Sequence, residues 1–204
     1  MVKTRIAVLV SGGGTNLQAL LDAQTAGTMT SGEIVLVIAS NDKAFALRRA
    51  EMAGIPTVVC SRKDLGSQEA FEAAIGQALE EHGTELIVLA GFMSILSEDF
   101  TRRWPERILN VHPSLIPSFC GKGFYGLKVH QAALDYGVKV TGATVQFVNE
   151  VPDGGRILLQ KAVDILPDGT PETLQRRVME QAEWKLLPQA VQMVAEEIGK
   201  GKEA

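Results

Sequence analysis

Ile6-Ala7-Val8-Leu9-Val10 runs straight into Ser11-Gly12-Gly13-Gly14-Thr15-Asn16 and then into Leu17-Gln18-Ala19-Leu20-Leu21. Five apolar residues without alternation predict a strand buried on both faces. Three glycines supply a turn, and Leu17, Leu20 and Leu21 follow at helical spacing. Strand, turn and helix in immediate succession open a βαβ unit, and the pattern recurs. Ile34 to Ala39 is a second apolar strand, Ala44 to Ala53 a short helix ended by Gly54, and Thr57-Val58-Val59 a brief third strand. Gln68 to His82 carries Phe71, Ala74, Ile75 and Leu79 on one helical face, with Gly83 as its stop. Leu86 to Ala90 is again fully apolar. This alternation predicts an α/β fold: a doubly wound, mostly parallel sheet with helices on both faces.

The pattern changes after Arg107-Ile108-Leu109-Asn110-Val111-His112-Pro113. Pro113 disfavours the helical conformation for His112, so the strand stays extended up to the histidine. Residues two apart on a strand point the same way, which sets Asn110 and His112 side by side. Pro117 to Lys128 has three glycines and no periodicity and reads as a mobile loop, followed by a short helix over Val129 to Tyr136. Thr144 to Val148 and Arg156 to Gln160, joined through Asn149 to Gly155, predict a C-terminal antiparallel hairpin. One long amphipathic helix from about Pro171 closes the chain. With no repeat, low-complexity tract or linker, residues 1–204 read as a single domain.

Composition excludes several classes. A formal charge of −4 does not suit a protein built to coat nucleic acid or an anionic membrane, both of which call for basic surface. No apolar run reaches the roughly 18 residues of a membrane helix. Met1 to Arg5 leads into a strand-like run, not into a signal peptide. Two isolated cysteines, Cys60 and Cys120, make neither a disulfide framework nor a zinc site, and the expected address is the reducing cytoplasm.

The chemical candidates are few. The glycine turn serves equally as a plain tight connection or as an anion cradle, where a helix N-terminus offers free N–H groups and Thr15 and Asn16 add side-chain donors. It is not an ATPase-type P-loop, and Leu17 stands where a dinucleotide fingerprint has its third glycine. Of the three histidines, His82 fits a helix C-terminus, which favours a cation, and His130, at or just before a helix start, faces either solvent or the active-site loop, with a structural role the favoured reading. His112, at the carboxyl end of an apolar strand, sits where open α/β sheets hold ligands. Asp153 alone is a turn residue; brought to His112, its carboxylate favours the protonated imidazole.

Together these residues resemble the phosphoribosylglycinamide formyltransferase family, folate-dependent enzymes of purine synthesis. The resemblance rests on Ser11 to Gln18, Ser40-Asn41, Leu89 to Leu96, Asn110 to Pro117, Thr144-Val145, Asp153-Gly154-Gly155 and Glu183. It implies a Rossmann-like formyltransferase fold with a nucleotide-binding half over about 1–105 and a catalytic, folate-binding half over about 106–204. It implies formyl transfer from 10-formyltetrahydrofolate, as co-substrate, to the amine of glycinamide ribonucleotide. By the same resemblance Asn110, His112 and Asp153 are catalytic, and Gly13, Gly14, Thr15, Asn16 and Glu183 hold the nucleotide. Met93, Ser94, Ile95 and Leu96, with Asn149, Glu150, Val151 and Asp153, enclose the pterin, and Asn110 also faces the folate. Gln68 stands where some members carry a basic residue near the folate, and Gln146 where a histidine is common. The loop Ser118 to Lys128 is longer than in some members. The implied partners are small molecules, with no nucleic acid, membrane or metal, in a monomer or homodimer. Rival readings are a formyl-tetrahydrofolate hydrolase using the same trio on water, and a non-catalytic nucleotide-binding module. A nicotinamide oxidoreductase, with Asp42 at the ribose, is weaker for want of the third glycine.

Overall fold

β1 (Thr4–Val10) is an inner strand of the sheet, and its uninterrupted apolar run is explained by what lies on either side. The computed structural model describes residues 2–203. Ile6, Val8 and Val10 enter one core and Ala7 and Leu9 the other. The same division splits β2 (Gly32–Ala39), β4 (Leu86–Leu89) and β5 (Ile108–His112). With β3 (Thr57–Val59), β6 (Val140–Phe147) and β7 (Ile157–Asp164) they form one sheet of order β3-β2-β1-β4-β5-β6-β7. The first five strands are parallel, while β6 runs antiparallel to β5, and β7 to β6. The doubly wound sheet and the hairpin are both as the sequence predicts. Each hairpin strand is eight residues long, because the ladder continues beyond the apolar stretch as far as Val140 and Asp164.

On the Ile6 side lie α1 (Thr15–Thr25), α2 (Ala46–Met52), α7 (Pro171–Val178) and α8 (Trp184–Glu203), contributing Leu17, Leu20, Ala46, Val178 and Leu187. On the Leu9 side α4 (Gln68–Glu81) and α5 (Glu98–Arg102) supply Phe71, Ile75, Leu79 and Phe100. The short α3 (Arg62–Leu65) precedes α4, and α6 (Leu127–Tyr136) precedes β6. Ser67 caps α4 by accepting from the Ala70 N–H at 3.0 Å, and α7 begins with Pro171 behind the capping residue Thr170.

The last helix departs from the expectation of a single rod. Between α7 and α8 the chain makes a π-helical turn over Met179–Glu183. Pro188, inside α8, has no N–H to give the carbonyl four residues back, Trp184. The looser register lies immediately upstream of that gap, and turns of this kind recur at functional sites. No described helix is long and apolar enough to cross a membrane.

Candidate active site

Strand order reverses between β1 and β4, and in open α/β sheets the crevice beyond the carboxyl ends of such strands takes ligands. Here a cleft of about 760 Å³ opens there, lined by Gly12–Asn16, residues 90–95, Asn110, His112, residues 121–126, Asp153 and Glu183 among others. A smaller cavity of about 130 Å³ adjoins it, walled by Leu89, Phe92, Leu96, Phe147, Val148 and Val151. Asn110 and Asp153 line both.

The first wall is the glycine turn. Gly14 has φ 71°, and a Cβ there would lie 2.6 Å from Ala46 Cβ, so both conformation and contact require glycine. Arg49 Nε donates to the Gly13 carbonyl at 2.8 Å and the Ala46 N–H to Gly12 at 3.1 Å, fixing the turn from behind. No side chain caps α1, so its first N–H groups are left for the cleft. Asn16 is engaged differently from the expected anion donor: its Nδ2 donates to Glu183 Oε2 at 2.7 Å.

The second wall is the end of β5. Ile108 packs into the Leu9-side core, and Asn110 and His112 continue on that side of the strand by the two-residue repeat. β6 sets Gln146 opposite Asn110 and Thr144 opposite His112. The hairpin loop then returns Asp153, φ 55°, to the same spot. Its Oδ1 accepts from Gln146 Nε2 at 3.1 Å and Asn110 Nδ2 at 3.5 Å. Its Oδ2 accepts from the Gly121 N–H at 2.8 Å and lies 3.5 Å from His112 Nδ1. The trio read from the sequence is therefore brought together.

The sequence profile of the formyl transferase family matches residues 4–191. The chain belongs to that family. It is 48% identical over 193 residues to the trifunctional purine biosynthetic protein adenosine-3 of Gallus gallus, covering 95% of this chain but 18% of that one. It is 41% identical to the phosphoribosylglycinamide formyltransferase of Haemophilus influenzae, covering 94% of this chain and 87% of that one. The crystal structure of glycinamide ribonucleotide transformylase 1 from Symbiobacterium toebii superposes with TM-score 0.89 at 40% identity, over 96% of this chain and 89% of that one. This chain thus spans about a fifth of the trifunctional relatives.

In this member of the formyl transferase family the orientation of His112 is fixed by a backbone group. Nε2 lies 2.9 Å from the Phe119 carbonyl, which can only accept, so Nε2 is the donor in that contact. Nδ1 faces Asp153 in the cleft, 3.5 Å from Oδ2. The two 3.5 Å contacts, Asn110 Nδ2 and His112 Nδ1 to Asp153, are loose enough to admit a ligand oxygen.

Glu183 is buried, and desolvation pushes its carboxyl up to about 7 against the opposing Asn16 hydrogen bond. Of the expected folate residues, Ser94, Ile95, Leu96, Asn149, Glu150 and Val151 line the smaller cavity, whereas Met93 lies in the larger cleft. Gln68 enters neither. It braces the 92–96 loop from outside, donating to the Ile95 carbonyl at 3.0 Å and to Glu72 at 2.7 Å. Glu72 in turn accepts from the Ser97 N–H and hydroxyl.

Sequence reasoning missed Gly121 and Phe119, which act through backbone atoms that leave no signal in residue type. The loop carrying them is irregular as expected, with α6 beginning two residues earlier than predicted. Gln146 enters as a donor to Asp153, and Lys122 is a cleft-lining cation. His130 departs from its structural reading: it is buried on α6, lines the cleft, and has no partner for either ring nitrogen.

Proposed function

We propose that this chain transfers a formyl group from 10-formyltetrahydrofolate to the amine of glycinamide ribonucleotide, a step of purine biosynthesis, in the cytoplasm. The observation that carries the proposal is the meeting of Asn110, His112 and Asp153 where the two cavities join. The activities for which the Haemophilus influenzae and Symbiobacterium toebii relatives are named support it.

The smaller cavity fits a flat heteroaromatic ring: its walls are apolar, and Asn110, Gln146 and Asp153 supply hydrogen-bonding groups. Gln146 Oε1 is buried without a partner, the state of an acceptor awaiting a ligand donor. The bound folate supplies the formyl group. Gly12 to Thr15 hold the nucleotide phosphate through backbone N–H groups at the start of α1, and Glu183 holds the sugar or amine end. With both reactants held, orientation replaces a second-order encounter.

As the uncharged amine attacks, charge develops on the formyl oxygen. Asn110 Nδ2 and protonated His112 Nδ1 donate to it from one side. Asp153 steadies the imidazolium; the Nδ1 proton passes to the folate nitrogen as its bond to the formyl carbon breaks, and the proton lost by the newly acylated amine returns to Nδ1. The chain supplies positioning and proton transfer. The test is a spectrophotometric assay of the whole protein with glycinamide ribonucleotide and a formyl-folate analogue, alongside formate measurement. Nucleotide-dependent turnover is expected, falling about 10²- to 10³-fold in His112→Ala. Formate release without the nucleotide, or near-normal turnover in the variant, refutes the proposal.

A further inference from the structure

The large cleft has a buried polar side chain that the proposed chemistry does not use. His130 lies in the first turns of α6, between the irregular loop and β6, beside the core residues Val129 and Ala133. Its exposure is 1%. Neither Nδ1 nor Nε2 has a hydrogen-bond partner. Buried polar atoms in native proteins are nearly always paired, and an orphan calls for an explanation. A ring serving only to fill space would be better replaced by an apolar side chain, since desolvating two nitrogens without return disfavours the fold. The cleft that His130 lines also contains Gln175, Met179 and Glu183 from the last helical segment. Asn16 Oδ1, another unpaired buried acceptor, lines it too.

We propose that His130 is a substrate-binding residue, hydrogen-bonding a neutral donor–acceptor group, such as a sugar hydroxyl or carboxamide, in the portion of the nucleotide between the phosphate cradle and the catalytic trio. Burial, with the His112 charge as a lesser cause, pushes its imidazole down to about 4. The ring is therefore neutral at working pH and presents one N–H and one acceptor nitrogen. A neutral ring, with one donor and one acceptor, matches an uncharged donor–acceptor group, whereas a phosphate would use only its N–H and gain no charge pairing. The inference rests on the proposed nucleotide substrate and deepens it by assigning a contact to the part of that molecule away from both its charge and its reacting amine.

The experiment compares wild type, His130→Leu and His130→Gln by calorimetric titration with glycinamide ribonucleotide, by titration with a non-hydrolysable formyl-folate analogue, and by thermal unfolding without ligand. Leucine removes both polar nitrogens at similar volume, whereas glutamine keeps a donor and an acceptor. The nucleotide affinity of His130→Leu is expected to fall about tenfold or more, with folate-analogue affinity unchanged and an unfolding midpoint equal to or above wild type. His130→Gln is expected to recover part of the lost affinity. Undiminished nucleotide affinity in His130→Leu overturns the inference. So does a lowered midpoint accompanied by equal loss of both ligands, the signature of a structural role. If wild type itself binds no glycinamide ribonucleotide, the proposed function falls and takes this inference with it. Retained affinity in the leucine variant sinks the inference alone.

Discussion

Glu183→Gln is expected to stabilise the protein, by an amount that grows as pH rises from about 4.5 to about 7. The wild-type carboxyl is fully buried, with Asn16 Nδ2 as its hydrogen-bond donor, and its folded-state value is raised from 4.5 to about 7. Between those two values the folded protein keeps a proton that the unfolded chain has released. Stability therefore falls as pH rises through this window, because the unfolded state binds fewer protons. At about 1.4 kcal/mol per pH unit across that window, the cost comes to roughly 3.5 kcal/mol once the carboxylate is fully charged. Glutamine keeps an oxygen for Asn16 and carries no charge, so it escapes that cost. Urea unfolding of both proteins from about pH 4 to about pH 9 checks this. The curves should coincide near pH 4, diverge above about 4.5, and run parallel above about 7 with the variant ahead. In a domain of this size the gap corresponds to roughly 7–14 °C in the thermal midpoint. A pH-independent gap, or a less stable variant at pH 8, refutes the reasoning.

Three further outcomes follow from the geometry. Asp153→Asn keeps the shape and an oxygen for the Gly121 N–H but removes the charge facing His112. Steady-state assays should show turnover reduced by about two to three orders of magnitude, with the unfolding midpoint little changed. Gly14→Ala meets both φ 71° and a contact at 2.6 Å with Ala46 Cβ. It should cost about 1–3 kcal/mol in denaturant unfolding and raise the nucleotide KM, since the turn must move away from the cleft. Phe71→Ala removes a fully buried ring that stacks on Phe92 at 6.3 Å. It should cost about 3–5 kcal/mol and weaken folate-analogue binding measured by fluorescence, because Phe92 walls the smaller cavity.

The parallel half of the fold was legible because strands buried on both faces need unbroken apolar runs, and Ile6 to Val10 or Leu86 to Leu89 can be little else. Asn110 and His112 were readable as neighbours because alternation along a strand is local. The short helices α3 and α5 fell below the length at which a helical period shows. The π turn escaped because Pro171 to Gly201 is amphipathic throughout, and its one irregular step depends on how the helix docks. The Asn16 amide, expected to face an anion, turns to Glu183 through a contact between distant parts of the chain that no local pattern encodes. The burial of His130 was illegible for the same reason. Its burial follows from α6 packing against the last helical segment, while the sequence shows only a histidine near a helix start.

The Asp153 carboxylate joins the hairpin to the glycine-rich loop, one oxygen taking Gln146 and Asn110, the other the Gly121 amide. Both segments line the large cleft, so a single side chain acts as the clasp between them. A substitution that removes both carboxylate oxygens releases the two segments together, with no larger rearrangement of the sheet required.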